Sequence, residues 1–442
     1  MLHIIKKIKF LCGTYRMSFV RLSGISIVIF IAIGLFLSAM ILFMKKVFQK
    51  DIPCKIFINN QDNLTKIVHM GKTLLAALSD NKIAIPSPCG GKGSCKQCRV
   101  QIIKGAEDIL EIDKASFSPK ELQQGWRLSC QFKLRHDVTI HLPEQSLELR
   151  EFVGKVISNK NEATFIKELV IEIPKMKDFN YQPGDYLQFY VPRYSTNTNE
   201  WKKNMDKTFW EEWDKFGLFN CQISHDGEEK MVRAYSFASY PLEKEITKYN
   251  IRIATPPIKD GKISSKIPWG ICSSYLFSLQ PGDTVQLAGP FGESHMINND
   301  QDVIFLIGGA GSSFGRSHIL SLFYEKNTKR EVTLWYGARA LRENMYQKEY
   351  ETLAKEYPNF HYHLVLSNPL PEDIQEGWPK EDPIKTNFLF KAFEEGQLKN
   401  MEMPEECLYY VCGPPLHNTS IMKLLDNYGV AKENIILDDF GS

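Results

Sequence analysis

The sequence predicts a multidomain protein: a single N-terminal transmembrane helix, a small cysteine-rich β domain, an antiparallel β-barrel domain and a doubly wound α/β domain. Three observations carry this expectation. An uncharged run of 23 residues lies near the start, three cysteines crowd between residues 89 and 98, and from Asp302 onward apolar strands alternate with helical stretches. A length of 442 residues, at about 100 to 200 per domain, accommodates these parts. Lys plus Arg number 54 against 52 Asp plus Glu, so the net charge of +2 gives no electrostatic footprint for nucleic acid. Apolar residues at 43% and charged ones at 24% are ordinary for folded protein and exclude long disorder.

The first element is the run LSGISIVIFIAIGLFLSAMILFM, about 22–44, bounded by Arg21 and by Lys45 and Lys46. As a helix it is about 34 Å long, enough for a hydrocarbon core of about 30 Å. It exceeds a signal-peptide core and lacks a small-residue cleavage site. Lys6, Lys7, Lys9, Arg16 and Arg21 precede it, against Lys45, Lys46 and Lys50 after it, so the positive-inside rule favours a cytoplasmic N-terminus. That orientation conflicts with a catalytic bulk in the cytoplasm, and a start at Met17, which would leave only Arg21 ahead of the helix, would remove the conflict.

The second element is PSPCGGKGSCKQCRV, in which Cys89, Cys95 and Cys98 are spaced C-x5-C-x2-C, with Cys130 following after 31 intervening residues. Four thiolates from one glycine-rich loop and one distant strand suit a [2Fe-2S] cluster, where each iron takes two sulfurs. Gly90, Gly91 and Gly93 let such a loop wrap closely and turn backbone N–H groups inward. Structural zinc also takes four cysteines, but usually through two short hooks, and only one exists here. Residues 55–59 and 66–69 read as a hairpin and 73–80 as a short helix, so the segment resembles the β-grasp ferredoxin fold with a longer first gap. Cys12, Cys54, Cys221, Cys272 and Cys407 stand singly and read as packing residues.

The third element begins after a linker near 142–151. Alternating stretches at 167–173, 186–191 and 250–254, with P-G-D turns at 183–185 and 281–283, predict an antiparallel barrel. Within it Arg233-Ala-Tyr235-Ser236 is similar to the R-x-Y-S flavin signature of the ferredoxin-NADP reductase superfamily. Period-two alternation puts Arg233 and Tyr235 on one face and Ser236 on the other. The resemblance implies that Arg233 pairs the FAD pyrophosphate, Tyr235 packs on the flavin ring and Ser236 reaches its N5 edge. Gly270-Ile-Cys-Ser273 opens a helix, and such a helix start, with its dipole and free N–H groups, takes the flavin diphosphate in that superfamily.

The fourth element alternates VIFLIG, a helix over 316–324, VTLWYG, HYHLVLS and LYYVCGPP, the pattern of a parallel doubly wound sheet. Gly308-Gly309-Ala-Gly311 falls at the first strand-to-helix turn, where a dinucleotide pyrophosphate sits. Cys412-Gly413-Pro414-Pro415 ends a later strand, and in the resembled superfamily C-G-P-P lies beside the nicotinamide with the cysteine near its reactive C4. The same turn also fits G-x-S-x-G around Ser313, the nucleophile elbow of α/β-hydrolases, which leaves a remote hydrolase reading.

The anchor, the cysteine gaps, RAYSFASYP, IRIATPP, LWYGAR, CGPP and the final LDDFGS together resemble the family of F subunits of sodium-translocating NADH:quinone reductases, over essentially the whole chain. The implied domains are 1–50 (N-terminal segment and anchor), 51–145 (2Fe-2S), 146–297 (FAD) and 298–442 (NADH). The implied activity is that of an electron-input subunit: hydride from NADH to FAD, then single electrons through the [2Fe-2S] cluster to partner subunits that reduce ubiquinone and export sodium. The implied location is the bacterial inner membrane with cytoplasmic catalytic domains. A membrane-anchored NAD(P)H reductase serving an oxygenase is the alternative. By the same resemblance Phe440 covers the flavin ring. Phe314 stands where the family usually has proline, a departure that bears on the pose of NADH. The interruption 195–229, with NEWKKNMDKTFWEEWDKFG, reads as a solvated helix in preference to a partner-docking face. Arg339 and Arg342, after the second strand, are candidates for the 2′-phosphate of NADPH or plain surface charges; the resemblance favours NADH.

Overall fold

The structure is a computed structural model that describes residues 29–41, 44, 52–143, 150–174, 179–227, 231–243, 245–259, 261–264 and 266–440. Residues 29–41 are helical with exposed apolar side chains, Phe30 and Phe36 among them. Among the described residues no helix is long and apolar enough to cross a membrane. Residues 22–28, 42 and 43 of the expected span, and Met17, lie outside the described residues.

The cysteine-bearing part is a five-stranded mixed sheet. Its order is Gln61–His69, Pro53–Ile58, Val138–His141, Arg99–Lys104, Trp126–Leu128, with the second and third strands parallel. Alternation in Pro53–Ile58 sends Cys54, Ile56 and Ile58 into the core. The helix Leu74–Asp80 is capped by the Thr73 hydroxyl, which accepts from Ala76 N, and it covers that core with Leu74, Ala77 and Leu78.

The second sheet is antiparallel and six-stranded: Met231–Ser236, Tyr186–Val191, Thr284–Phe291, Arg150–Ala163, Ile166–Glu172, Ile246–Arg252. The expected barrel does not close. The two terminal strands meet only at an isolated bridge between Phe237 and Tyr249. Beyond it the Ser239 hydroxyl accepts from Lys248 N, so a side chain takes a donor that a continued ladder would use.

The segment 195–229 also departs from expectation. Its described part, 195–227, is not a solvated helix: Trp201 and Trp213 are fully buried and join the core of the second sheet with Phe209 and Phe219. The Trp213 indole donates to Thr164 O at 2.7 Å. Charge alternates on the outside of this segment while its aromatics repeat inward, and the charges are what suggest solvation when the sequence is read alone.

The third sheet is parallel, in the order Phe360–Leu366, Val332–Ala338, Val303–Gly308, Leu408–Cys412, Ile435–Leu437. Its central strand is buried on both faces. Val303, Phe305 and Ile307 enter one core and Ile304 and Leu306 the other, as expected when helices cover both sides of a parallel sheet. The first helix runs Ser312–Leu320 and continues as a π turn over Ser321–Glu325, so it begins four residues before the sequence suggests. The short 3₁₀ turn Gly309–Gly311 feeds directly into it.

Candidate functional site

The four cysteines come together as two pairs. Cys95 Sγ lies 3.3 Å from Cys89 Sγ, and the hydrogen bond between them lowers the Cys89 thiol and raises that of Cys95. Cys98 and Cys130 form the second pair; the bond from Cys98 lowers the Cys130 thiol, and the Cys98 thiol is raised. The Gln131 amide donates to Gly91 O at 3.1 Å and to Cys130 Sγ at 3.4 Å, fastening the loop over the second pair. Gly90, Gly91 and Gly93 all have positive φ, and a Cβ on Gly93 would lie 2.6 Å from Ile112 Cδ1. Among the described residues no three His, Cys, Asp or Glu side chains gather as a single-ion site. Two adjacent thiol pairs match the two-plus-two donor set of a binuclear iron cluster better than the single tetrahedral point of zinc.

That loop sits on the second sheet. A Cβ at Gly90 would fall 1.8 Å from Arg233 Nη1 and 2.5 Å from Val232 O, so only glycine permits the approach. Arg233 Nη1 donates to Val232 O at 2.7 Å. In the register of that strand Arg233 faces the Phe189 position and Tyr235 the Leu187 position, on one side of the sheet. The Tyr235 ring meets Phe189 edge-on at 5.2 Å.

Gly270 caps the helix Ile271–Ser278, and a Cβ there would be 2.6 Å from Ala254 Cβ. The Ser273 hydroxyl accepts from Ala254 N and donates to Gly270 O, pinning the helix start to the segment that follows the strand Ile246–Arg252. Burial pushes the Cys272 thiol up to about 11, while the positive charges of Arg233 and Lys92 pull it the other way. The guanidinium therefore bears on the same spot as the helix's first free N–H groups. Arginine, helix N-terminus and a glycine that clears space form a cradle suited to a diphosphate.

On the third sheet, a Cβ on Gly311 would lie 2.3 Å from Cys412 O and 3.0 Å from Cys412 Sγ. The glycine turn and the end of the Leu408–Cys412 strand are thus in direct contact. Gly308 and Gly413 both close on the His417 ring, whose Nε2 bonds Leu306 O at 3.1 Å. Pro414 caps the helix Pro415–Asn427. Cys412 is fully buried, and burial, followed by the nearby Asp438 and Asp439 carboxylates, pushes its thiol well above the usual range. The Ser313 hydroxyl donates to Ala310 O at 3.0 Å, and the histidine of its helix, His318, bonds Phe314 O and Ser294 O instead. The geometry of a nucleophile elbow is not present.

The structure adds a residue that motif reading misses. The Ser236 hydroxyl donates to Asp438 Oδ2 at 3.1 Å, while Asp438 N donates to Val411 O. The C-terminal segment thereby ties the R-A-Y-S strand to the strand that carries Cys412. Burial pushes the Asp438 carboxyl up to about 7; the Ser236 bond lowers it and Asp439 raises it further. The acidic pair in LDDFGS is the available signal. Phe440, two residues on, is 44% exposed. Arg339 and Arg342 are not open charges: both guanidiniums bond the Glu212 carboxylate of the inserted segment.

Comparison with known proteins agrees with this geometry. Residues 56–135 match the 2Fe-2S iron-sulfur cluster binding domain family, and residues 305–420 the oxidoreductase NAD-binding domain family. In fold the chain is similar to a cytochrome P450 reductase from Amycolatopsis (TM-score 0.57, 19% identity, 88% of this chain and 98% of that one). It is likewise similar to the ferredoxin reductase in carbazole 1,9a-dioxygenase (TM-score 0.53, 18% identity, 88% and 99%). The F subunit of the Na(+)-translocating NADH-quinone reductase of Chlamydia felis is 56% identical over 421 residues, 95% of this chain and 98% of that protein. Its counterpart in Neisseria meningitidis is 42% identical over 94% of this chain and 99% of that protein. With that identity maintained over 93% to 95% of its length, the chain belongs to the family of the Na(+)-translocating NADH-quinone reductase F subunit.

Proposed function

We propose that this chain is the electron-input subunit of a membrane NADH:ubiquinone reductase coupled to sodium export. The observation that carries the reading is the seating of the paired-cysteine loop on the R-A-Y-S strand at Gly90, in a chain that shares 56% identity with the F subunit of such an enzyme. When bound, FAD takes a hydride from NADH and the [2Fe-2S] cluster carries electrons away singly.

The protein's part is to hold and orient. Cys89 and Cys95 hold one iron, Cys98 and Cys130 the other, and Gly90, Gly91 and Gly93 let the loop close. Arg233 and the N–H groups that follow Gly270, with Ser273 fixing that turn, hold the flavin diphosphate. Tyr235 supports the ring, Ser236 addresses its N5 edge, and Phe440 shields the face where nicotinamide later stacks. Gly308, Gly309 and Gly311 make room for the NADH pyrophosphate, and Gly413 and Pro414 shape the nicotinamide pocket. Cys412 enters it as a neutral thiol, since burial disfavours its thiolate. Asp438 sets the hydrogen-bonding state of Ser236.

The domain boundaries are 1–50, 51–145, 146–297 and 298–442, the third built on an open antiparallel sheet. The helix at about 22–44 anchors the chain in the bacterial inner membrane beside its partner subunits, with the catalytic domains cytoplasmic. One helix is no ion pathway, so sodium moves through those partners. Because Glu212 engages both Arg339 and Arg342, no free guanidinium of that pair remains for a 2′-phosphate, and NADH is the substrate. Turnover of the purified protein with NADH and NADPH, using a one-electron acceptor, tests the reading; a preference for NADPH would contradict it.

A further inference from the structure

Between the cysteine-bearing sheet and the second sheet lies a small core of its own, in which Ala84 packs against Tyr186, Tyr190, Ala288 and Phe291. Two polar side chains of the strand Tyr186–Val191 cross this boundary. The Tyr186 hydroxyl donates to Gln97 Oε1 at 2.7 Å, and Gln97 stands between Cys95 and Cys98. The Gln188 amide, 2% exposed, donates to Ile85 O at 3.0 Å and to Ser87 Oγ at 3.3 Å, just ahead of Cys89. The two contacts therefore grip the ligand loop ahead of Cys89 and again between Cys95 and Cys98. Tyr186 and Gln188 are two residues apart, so they share a face of the sheet. In the antiparallel register Tyr186 is the partner of Ser236 and Gln188 of Ala234, on the strand assigned above to the flavin. A single strand thus touches the cluster loop with its side chains and the flavin strand with its backbone.

We infer that Tyr186 and Gln188 form a clamp that positions the iron-sulfur loop for electron transfer from the flavin, an inference that rests on the function proposed above. In the step concerned, reduced flavin loses one electron and one ferric ion of the cluster becomes ferrous. No bond to a protein atom forms or breaks. A second electron follows after the first has passed to the partner subunits, and the flavin proton leaves to solvent. Tyr186 and Gln188 are positioning residues: they touch the loop that carries the ligands, not the reacting atoms. Gln188 has a stricter role than an ordinary surface amide, because both of its donor bonds are buried and a substitute without a donor would leave Ile85 O without that partner.

The test uses the complete protein carrying FAD and cluster, as wild type, Tyr186→Phe, Gln188→Met and the double variant. Anaerobic mixing with NADH is followed by visible absorbance for the flavin and by freeze-quench EPR for the cluster, and hydrogen exchange is measured over 85–98. The clamp predicts flavin bleaching within about twofold of wild type in every variant, with cluster reduction slowed about tenfold in the double variant, since small displacements of a reacting group cost rate steeply. It also predicts faster exchange in the loop, a readout independent of turnover. Tyr186→Phe removes one oxygen from a ring that still packs on Phe291, so it serves where the double variant does not fold. Cluster reduction that keeps pace with wild type, or flavin and cluster steps slowed equally, would overturn the clamp alone. A wild-type protein without a cluster signal even after dithionite would overturn the clamp and the cofactor assignment together.

Discussion

Asp438 acquires its chemistry from enclosure. Burial pushes its carboxyl, hydrogen-bonded to Ser236, up to about 7, so it changes state around neutral pH. Below that value the neutral carboxyl can donate to Ser236 and leave the serine hydroxyl free for the role at the flavin edge proposed above; above it the carboxylate accepts the serine proton for itself. NADH-dependent flavin bleaching is therefore expected to fall as pH rises through about 7, and Asp438→Asn, which stays uncharged, is expected to flatten the profile; stopped-flow rates between pH 6 and 8 check this. Lys167 is a second residue governed by burial. Its ammonium is fully enclosed, it donates to Phe277 O at 3.0 Å, and desolvation lowers it to about 7. Because the folded value lies below the unfolded one of about 10.4, the fold must give up a proton across that window, and the cost shrinks as pH rises toward the unfolded value. From about pH 7 to 10 the site should gain about 1.4 kcal/mol of stability per unit, and Lys167→Met should remove that slope. Thermal melts of both proteins at pH 7 and 9 decide it: the Tm difference should narrow or reverse in favour of wild type at the higher pH. Neither behaviour is legible in the sequence, where Asp438 is one acid of a pair and Lys167 one lysine in an alternating strand.

At the scale of elements, legibility follows periodicity. The third sheet is readable because VIFLIG and its neighbours are apolar on both faces, which only a covered parallel sheet requires. The cysteine loop is readable because four ligands at fixed gaps leave few alternatives. The inserted segment misleads because charge is counted by residue while burial is decided by side-chain volume. Trp201 and Trp213 meet edge-on at 5.9 Å inside the second core, and their burial outweighs the charges around them. The segment is expected to be part of the folding unit: Trp213→Ala should cost about 3 to 5 kcal/mol, read as a lower Tm or denaturation midpoint. A change below about 1 kcal/mol would restore the solvated-helix reading. The barrel expectation fails for a comparable reason, since alternation predicts strands but not which side chain captures a backbone donor at the closing edge. Ser239 does so here.

At the scale of the molecule, the parts are joined through a few polar bridges. Asn250 of the second sheet donates to the Ser312 hydroxyl at 2.8 Å, at the start of the first helix of the third sheet. Arg316 of that helix, 2% exposed, donates to Glu243, Glu349 and Ala238 O. A buried guanidinium with both carboxylates in place is costly to break, because removing one partner strands the charge. These bonds tie the second sheet, and the segment that follows its R-A-Y-S strand, to the first helix of the third sheet, while the cysteine loop seats on that strand at Gly90, an arrangement that suits the proposed order of two-electron input and one-electron output.

The measurement that tests this order most directly is anaerobic stopped-flow mixing of the purified protein with NADH, followed by EPR of the reduced sample. Rapid flavin bleaching followed by an S = 1/2 cluster signal is the predicted result. A colourless protein, or flavin that bleaches with no cluster signal even after dithionite, would contradict the assignment of Cys89, Cys95, Cys98 and Cys130 and with it the route from NADH to the cluster.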